Sequence, residues 1–228
     1  MGWYHSIELR PGEVTEGMFD LRPFVHCYGL PESLEGKRCL DVGTWDGFWA
    51  FELERRGAAE VVALDLDDER MLDWPPRRRP ETVPEEPRGA NFKLAHATFG
   101  SRVRREVLSV YDATAERLGE FDLVFCGSVL IHLRDQLLAL ERIAGVTKPG
   151  GLFVSAEAYD RSASLLPFPV ARFRADRPKD VVFWEPARKT WRRMIWTAGF
   201  DAVSEYGRFD LKARAGWSVP HVVHHAHR

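Results

Sequence analysis

The stretch CLDVGTWDGFWAFELERRG, Cys39 to Gly57, carries the residue types of a strand, a tight turn and a helix that together can cradle a charged ligand. The apolar run ends at Val42, Gly43 permits the turn, Asp46 is placed to cap, and Gly47 lets the helix lie close to the strand. N–H groups at a helix start have no partner inside the helix and attract an anion. A dinucleotide turn of the form G-x-G-x-x-G needs glycine where this chain has Trp45 and Phe48, because backbone must approach a pyrophosphate there. An indole obstructs that approach, which disfavours nicotinamide-dependent oxidoreduction.

In the frame Asp41-x-Gly43-x-Trp45-x-Gly47 the loop resembles motif I, D/E-x-G-x-G-x-G, of class I S-adenosylmethionine-dependent methyltransferases, with the middle glycine replaced. The resemblance implies S-adenosyl-L-methionine as cofactor, a ligand without phosphates. Its carboxylate would meet backbone at Thr44, Trp45 and the helix start, and Asp41 would face its ammonium, partly through water. Trp45 is tolerable there because its backbone makes the contact. Asp65 stands 22 residues beyond Gly43, at the tip of the second strand beside Leu66, where an acidic side chain accepts from both ribose hydroxyls. In VYDATAERL the resemblance puts Asp112 on the adenine amino group and the Ala113 amide on the ring. In FDLVFCGSVLIHL, the motif IV region, it puts the backbone of Cys126, Gly127 and Ser128 against the ammonium. VTKPGG, Val146 to Gly151, matches the tight turn before the fifth strand. The plain alternatives are a strand-end cap for Asp41, a solvated turn for Asp65 beside Asp67 and Asp68, and an N-cap for Asp112. All three would have to hold together at this spacing.

The chain is also similar to a narrower branch, the methyltransferase domain of the bacterial enzymes that carboxymethylate the wobble uridine oxygen of tRNA. VTEGMFDLR, VLIHLRDQL and KDVVFWEPARKTWRRMIWTAGF carry that similarity. The branch holds an extra cofactor carboxylate with basic residues and a tyrosine. Here the tyrosine is Ile131, no lysine or arginine stands near Trp3 or Tyr4, and His221 replaces an arginine, so Arg22 alone retains a cofactor-binding charge. An unpaired carboxylate in a desolvated pocket costs several kcal/mol, which favours ordinary S-adenosylmethionine.

Methyl transfer chiefly requires alignment, with a base only where the acceptor carries a proton. His132, after the fourth strand, is the candidate base, and its alternative is to orient the loop by hydrogen bonds. Glu157 and Tyr159 end the fifth strand as structural or substrate-contacting residues. Trp3, Tyr4, His5 and Trp184 offer flat faces to an acceptor or to plain packing. Arg172, Arg174, Arg177 and Lys179, like Arg77 to Arg79, form basic stretches that suit an acidic molecule, an RNA phosphate or solvent.

These residues need a scaffold. RCLDV (38–42), EVVALDL (60–66), EVLSVYD (106–112), FDLVFCG (121–127) and GLFVSAEA (151–158) read as strands buried on both faces, and helical patterns lie at 47–56, about 91–105 and 134–146. A further helix, PARKTWRRMIWTAGF, places Pro186 in its first turn and Gly199 at its C-cap, and strands follow at 200–209 and 217–227. The expectation is an α/β, Rossmann-like, doubly wound sheet of seven strands, mostly parallel, with the last inserted antiparallel. Residues 1–36, with a short helix near 19–28, are expected to cap the active site, and residues 37–228 to form the methyltransferase domain. Within it, 73–89, with Pro75, Pro76, Pro80, Pro84 and Pro87, forms an exposed loop, and 160–185, with Pro167, Pro169 and Pro178, a substrate loop.

Net charge is −2 and pI about 6.5, so no global field draws nucleic acid, and no run reaches the ~18 residues that span a bilayer. Cys27, Cys39 and Cys126 read as reduced thiols of a cytoplasmic protein. His221, His224, His225 and His227 alternate along a strand and so do not make a zinc site. A small-molecule methyltransferase leads, ahead of a tRNA-modifying enzyme and of a non-catalytic cofactor-binding scaffold.

Overall fold

Side chains that point alternately to the two faces of a strand, and are apolar on both, require a sheet covered on both sides. Val61 to Leu64, Leu123 to Cys126 and Phe153 to Ala156 meet that requirement, at most 3 % exposed. The computed structural model describes residues 2–75, 77, 79, 81–82, 87–177 and 181–228.

The chain opens on a small antiparallel ladder, β1 (Glu8–Arg10) and β2 (Glu13–Val14), and a 3₁₀ helix over Arg22–Tyr28. The main sheet follows with β3 (Arg38–Val42), α1 (Phe48–Arg55), β4 (Glu60–Asp65), α2 (Ala90–Phe99), β5 (Arg104–Val107), α3 (Ala115–Leu118), β6 (Phe121–Gly127), α4 (Gln136–Val146) and β7 (Thr147–Ala158). An antiparallel pair, β8 (Ala171–Phe173) and β9 (Trp184–Pro186), precedes α5 (Arg188–Thr197) and the hairpin β10 (Ala202–Lys212) and β11 (Ser218–His227). The seven-stranded order is β10-β11-β7-β6-β3-β4-β5, with β3 to β7 parallel and β11 antiparallel to both neighbours. The chain steps outward from β3 through β4 to β5 and returns to β6 on the other side, so the carboxyl ends of β3 and β6 flank a topological switch point, where ligands of such sheets bind.

Leu40 and Val42 face one side with Leu140 and Ile143 of α4 and Trp191 and Ile195 of α5. Cys39 faces the other with Trp49 and Leu53 of α1 and Phe92 of α2. Phe19, Leu21, Tyr28 and Leu34 belong to that second cluster, so the N-terminal segment shares the core of the domain. No helix among the described residues is long and apolar enough to cross a membrane.

Local chemistry moved several expected boundaries. Gly100, at φ 59, ends α2 near Phe99 instead of at 105, and the residues beyond it supply β5, two residues earlier than the expected 106–112. Val110–Asp112 is a 3₁₀ turn because the Ser109 hydroxyl accepts the Tyr111 N–H. Asp46 does not cap α1: Gly47 is the N-cap, and the Asp46 carboxylate is engaged by the N-terminal segment. Pro186 ends β9, ahead of the Ala187 N-cap, because the Ala187 N–H is drawn to the Val170 carbonyl. The β7 ladder begins at Thr147, so the Lys148 to Gly151 turn sits inside it as a register shift. Pro76, Arg78, Pro80, Pro84, Pro178 and Lys179 lie outside the described residues.

Gly43 is a position that requires glycine: its φ is +76°, and a Cβ there would overlap the Val129 side chain. Gly43→Ala is expected to lower unfolding free energy by about 2 kcal/mol or more in chemical denaturation.

Candidate functional site

The turn between β3 and α1 is held by the strand beside it. The Gly43 and Thr44 N–H groups both donate to the Leu64 carbonyl, at 2.7 and 3.1 Å, and Gly47 N–H donates to Thr44. Trp45 adopts φ +49°, a conformation that costs a non-glycine residue about 1 kcal/mol or more. Its N–H donates to Asp65 Oδ2 at 2.7 Å, and its indole lies 3.7 Å from the Arg88 guanidinium and 4.9 Å from the Tyr4 ring. These amides, which the sequence suggested would meet a ligand carboxylate, are therefore engaged within the chain.

Asp65 takes a second amide, from Leu66, at 2.7 Å, and its Oδ1 lies 3.7 Å from Arg88, which is itself almost fully buried. Asp46, with no exposed surface, accepts the Tyr4 and His5 N–H groups and the His5 Nδ1–H, which ties the N-terminal segment to the turn. Asp41 is buried beneath the turn. Burial pushes its carboxyl up to about 7, opposed by the charge of His5.

Across the switch point, Ser128 also has a left-handed backbone, φ +56°. His221 Nδ1–H donates to the Val219 carbonyl, so Nε2 accepts from the Ser128 hydroxyl at 2.8 Å. Burial pulls the His221 imidazole down to about 4 and keeps it neutral. Glu157 Oε1 accepts the Val129 and Leu130 N–H groups, each at 3.1 Å, and fixes the loop after β6, while burial pushes its carboxyl up to about 8. Gly127 stands at the β6 tip beside Ser128, and both line a small enclosed cavity with Tyr4 and His5.

The other expected residues are dispersed. Asp112 is exposed at the end of its 3₁₀ turn, and the Ala113 amide is taken by the Val110 carbonyl. His132 is half-buried and its Nδ1–H donates to Val181 at 2.9 Å. Tyr111 and the Arg134 amide both bond Asp73, so the segment after β4 closes over this edge of the sheet. Arg22 forks onto Asp20 and lines a surface groove with Phe48, Phe51 and Arg55, apart from the switch point. Trp184 packs on Phe173 within the β8–β9 pair, where Arg174 bonds Glu185 and Arg172 pairs with Asp160. Among the described residues no cluster of His, Cys, Asp and Glu could hold a metal ion.

Five buried polar atoms along this edge have no partner among the described residues: Asp41 Oδ2, Thr44 Oγ1, Trp45 Nε1, Arg88 Nε and Glu157 Oε2. Two carboxyl oxygens and three donors or hydroxyls suit a zwitterion, with the acids toward an ammonium and the donors toward a carboxylate. The methionine part of S-adenosylmethionine is such a group, and these residues fit it. Arg88, the His5–Asp46 tie and the Ser128–His221 bond escaped sequence reasoning, since nothing in a proline-rich loop or a histidine-rich strand marks a long-range partner.

A methyltransferase domain model matches residues 16–205. A ubiquinone biosynthesis O-methyltransferase of Xanthomonas euvesicatoria is 35% identical over 123 residues, 54% of this chain and 44% of the relative. The chain thus spans less than half the length of the curated relatives it matches. Among solved structures, a 1,6-didemethyltoxoflavin-N1-methyltransferase of Burkholderia thailandensis, crystallised with its namesake and S-adenosylhomocysteine, aligns with TM-score 0.58 and 18% identity over 91% of this chain and 77% of that one. An S-adenosylmethionine-dependent methyltransferase of Mesorhizobium loti aligns with TM-score 0.58 and 19% identity, over 91% and 97%. The fold is that of these enzymes. The chain belongs to the methyltransferase domain family, whose methyl donor is S-adenosylmethionine.

The Glu157 carboxyl titrates higher in the folded chain than in the unfolded one, where it ionises near 4.5. Between about 4.5 and 8 the unfolded state gives up a proton that the folded state keeps, so this group lowers stability as pH rises through that window. In Glu157→Gln the amide oxygen still accepts from Val129 and Leu130. The variant is expected to gain stability over the parent from pH 5 to pH 8, measured by denaturant midpoints, and to match it at pH 4.

Proposed function

We propose that this member of the methyltransferase domain family transfers a methyl group from S-adenosylmethionine to an oxygen or nitrogen of a small-molecule acceptor. The observation that carries this reading is the set of unpartnered polar atoms gathered along the switch-point edge, above all Asp41 Oδ2 and Glu157 Oε2. S-adenosylmethionine, when bound, supplies a methyl on a sulfonium, whose transfer leaves a neutral thioether and releases the acceptor's proton.

The chain's own residues divide the work. Asp41 and Glu157 face the ammonium, where a cation stabilises their ionised forms. Thr44 and the Trp45 indole N–H face the carboxylate, and the backbone of Gly127 and Ser128 lines the methionine end, with Gly43 and Gly47 admitting the close turn. Asp65 takes the ribose hydroxyls once Arg88 yields its place beside the carboxylate, with Leu66 next to it. Asp112 and Ala113 border the adenine end. His132, its tautomer set by the Val181 carbonyl, accepts the acceptor's proton. Tyr4 and His5 close the acceptor side, and Tyr159 lines its outer wall.

Neutral His221 offers no charge to an extra cofactor carboxylate, which supports S-adenosylmethionine over a carboxylated form. The names of the relatives support a small acceptor over tRNA: a ubiquinone biosynthesis O-methyltransferase and an enzyme holding 1,6-didemethyltoxoflavin. The three free cysteines, two of them buried, accord with a cytoplasmic enzyme.

Titration calorimetry with S-adenosylhomocysteine is expected to give a dissociation constant in the micromolar range. Asp65→Ala should weaken it at least tenfold, because both ribose hydroxyls lose their acceptor. Absence of heat in the parent chain would refute the reading. In turnover assays His132→Ala is expected to lower kcat about 10²-fold or more while leaving S-adenosylhomocysteine affinity unchanged.

A further inference from the structure

Beyond the switch point, on the β7 side of the same sheet edge, an open groove of about 530 Å³ is lined by Tyr159, Arg161, Arg188, Arg208, Phe209 and Asp210, among others. That volume lies within the range of small-molecule sites. It joins the first residue after β7 to the start of α5 and the turn-proximal half of β10. Its position follows from the ladder: β11 runs antiparallel to β7 with His221 opposite Ala158, and β10 places Phe209 opposite His221. The groove therefore opens at the carboxyl edge of the parallel strands, the edge that holds Asp41, Asp65 and Ser128.

The groove and the switch point are also linked through side chains. The Phe209 ring stacks on the His221 imidazole, with centroids 5.5 Å apart and planes 19° from parallel, and His221 Nε2 accepts from Ser128. A single residue, His221, thus stands between Phe209 in the groove wall and Ser128 in the loop after β6. Tyr159, almost fully buried, supplies a second ring, with the Arg188 guanidinium 5.9 Å from its centroid.

Charge distinguishes this groove. Arg161 is paired with Asp210, while Arg188 and Arg208 both turn to one carboxylate, Glu205. Three guanidinium groups share two acids, and the excess is positive. α5 adds to it: helices favour acids in the first turn, whereas this one begins Arg188, Lys189 and carries none there. Both aromatic walls and the unbalanced guanidinium groups suit a flat ligand bearing an anionic group, which forked donors bind in two-point fashion.

We propose that this groove is the acceptor subsite, and that it takes a planar small molecule carrying a carboxylate or a phosphate ester. The assignment rests on the methyltransferase reading for its chemistry but not for its binding, and the test separates the two. Calorimetry is run on the full chain with and without saturating S-adenosylhomocysteine, using 4-hydroxyphenylacetate, phenyl phosphate and the uncharged 4-hydroxyphenylacetamide as probes. At least one acid is expected to bind tenfold or more tightly than the amide, less tightly as salt rises, with the preferred acid telling carboxylate from phosphate. Arg188→Gln, at a half-buried side chain, and Arg208→Gln, at an exposed one, are each expected to weaken that acid about tenfold. Both should leave S-adenosylhomocysteine affinity and the circular dichroism spectrum unchanged. Equal binding of acids and amide, no binding of any probe, or acid binding indifferent to both variants would overturn the proposal. Loss of S-adenosylhomocysteine binding alone, with acid binding intact, would instead count against the cofactor site and leave the groove standing.

Discussion

The bond from the Trp45 amide to the Asp65 carboxylate sets the geometry on which the rest of this sheet edge depends. A tryptophan in a left-handed turn is strained, and the strain persists only because its surroundings over-determine it. Asp65 grips the amide, Tyr4 and Arg88 pack against the indole, and the two preceding amides share the Leu64 carbonyl. One side chain thereby joins three parts of the chain that are remote in sequence: the N-terminal segment, the first strand-turn-helix unit and the loop after β4. A glycine at 45 would relieve the backbone and keep the amide bond to Asp65, but lose the indole contacts with Tyr4 and Arg88. The residue that departs from motif I therefore joins Asp46 in holding the N-terminal segment onto the domain.

Much of this was legible in the sequence, for reasons that can be stated residue by residue. The core strands 38–42 and 121–127 were read at their observed bounds because buried parallel strands give unbroken apolar runs between turn residues. Gly43 and Gly47 were recognisable because positive φ leaves few choices of residue. The edge strand was misplaced: Arg104–Val107 is half exposed, lacks the apolar signature, and gave way to the more hydrophobic 106–112 that follows it. Asp46 misled in a different way. Acid before a helix is the usual cap, and only the tertiary structure reveals that its carboxylate serves Tyr4 and His5 from some 40 positions away. Arg88 gave no signal at all, since a buried guanidinium inside a run of prolines and charges looks like every other solvated loop arginine.

Four carboxylates, Asp41, Asp46, Asp65 and Glu157, lie buried along one edge, and a folded chain must answer each. Asp46 is answered by two amides and an imidazole, and Asp65 by two amides with a guanidinium nearby. Asp41 and Glu157 are answered incompletely: each keeps one oxygen bare, and these are the two whose carboxyls burial drives up to about 7 and about 8. Burial of the carboxyl is the cause at both positions.

Such a deficit is informative because it is directional. A chain under no functional constraint would replace either acid by an amide or an apolar residue and avoid the cost of burying it. Held half-answered near neutrality, both acids are poised to ionise when a cation arrives, and under the proposed function the ammonium beside the sulfonium of S-adenosylmethionine would be that cation. The attraction is then strongest for the charged donor and weaker for the neutral thioether it leaves behind, since only the sulfonium charge is lost in transfer. Under that proposal, the same incomplete neutralisation that weakens the folded chain at this edge would favour loading of the donor and release of the spent cofactor.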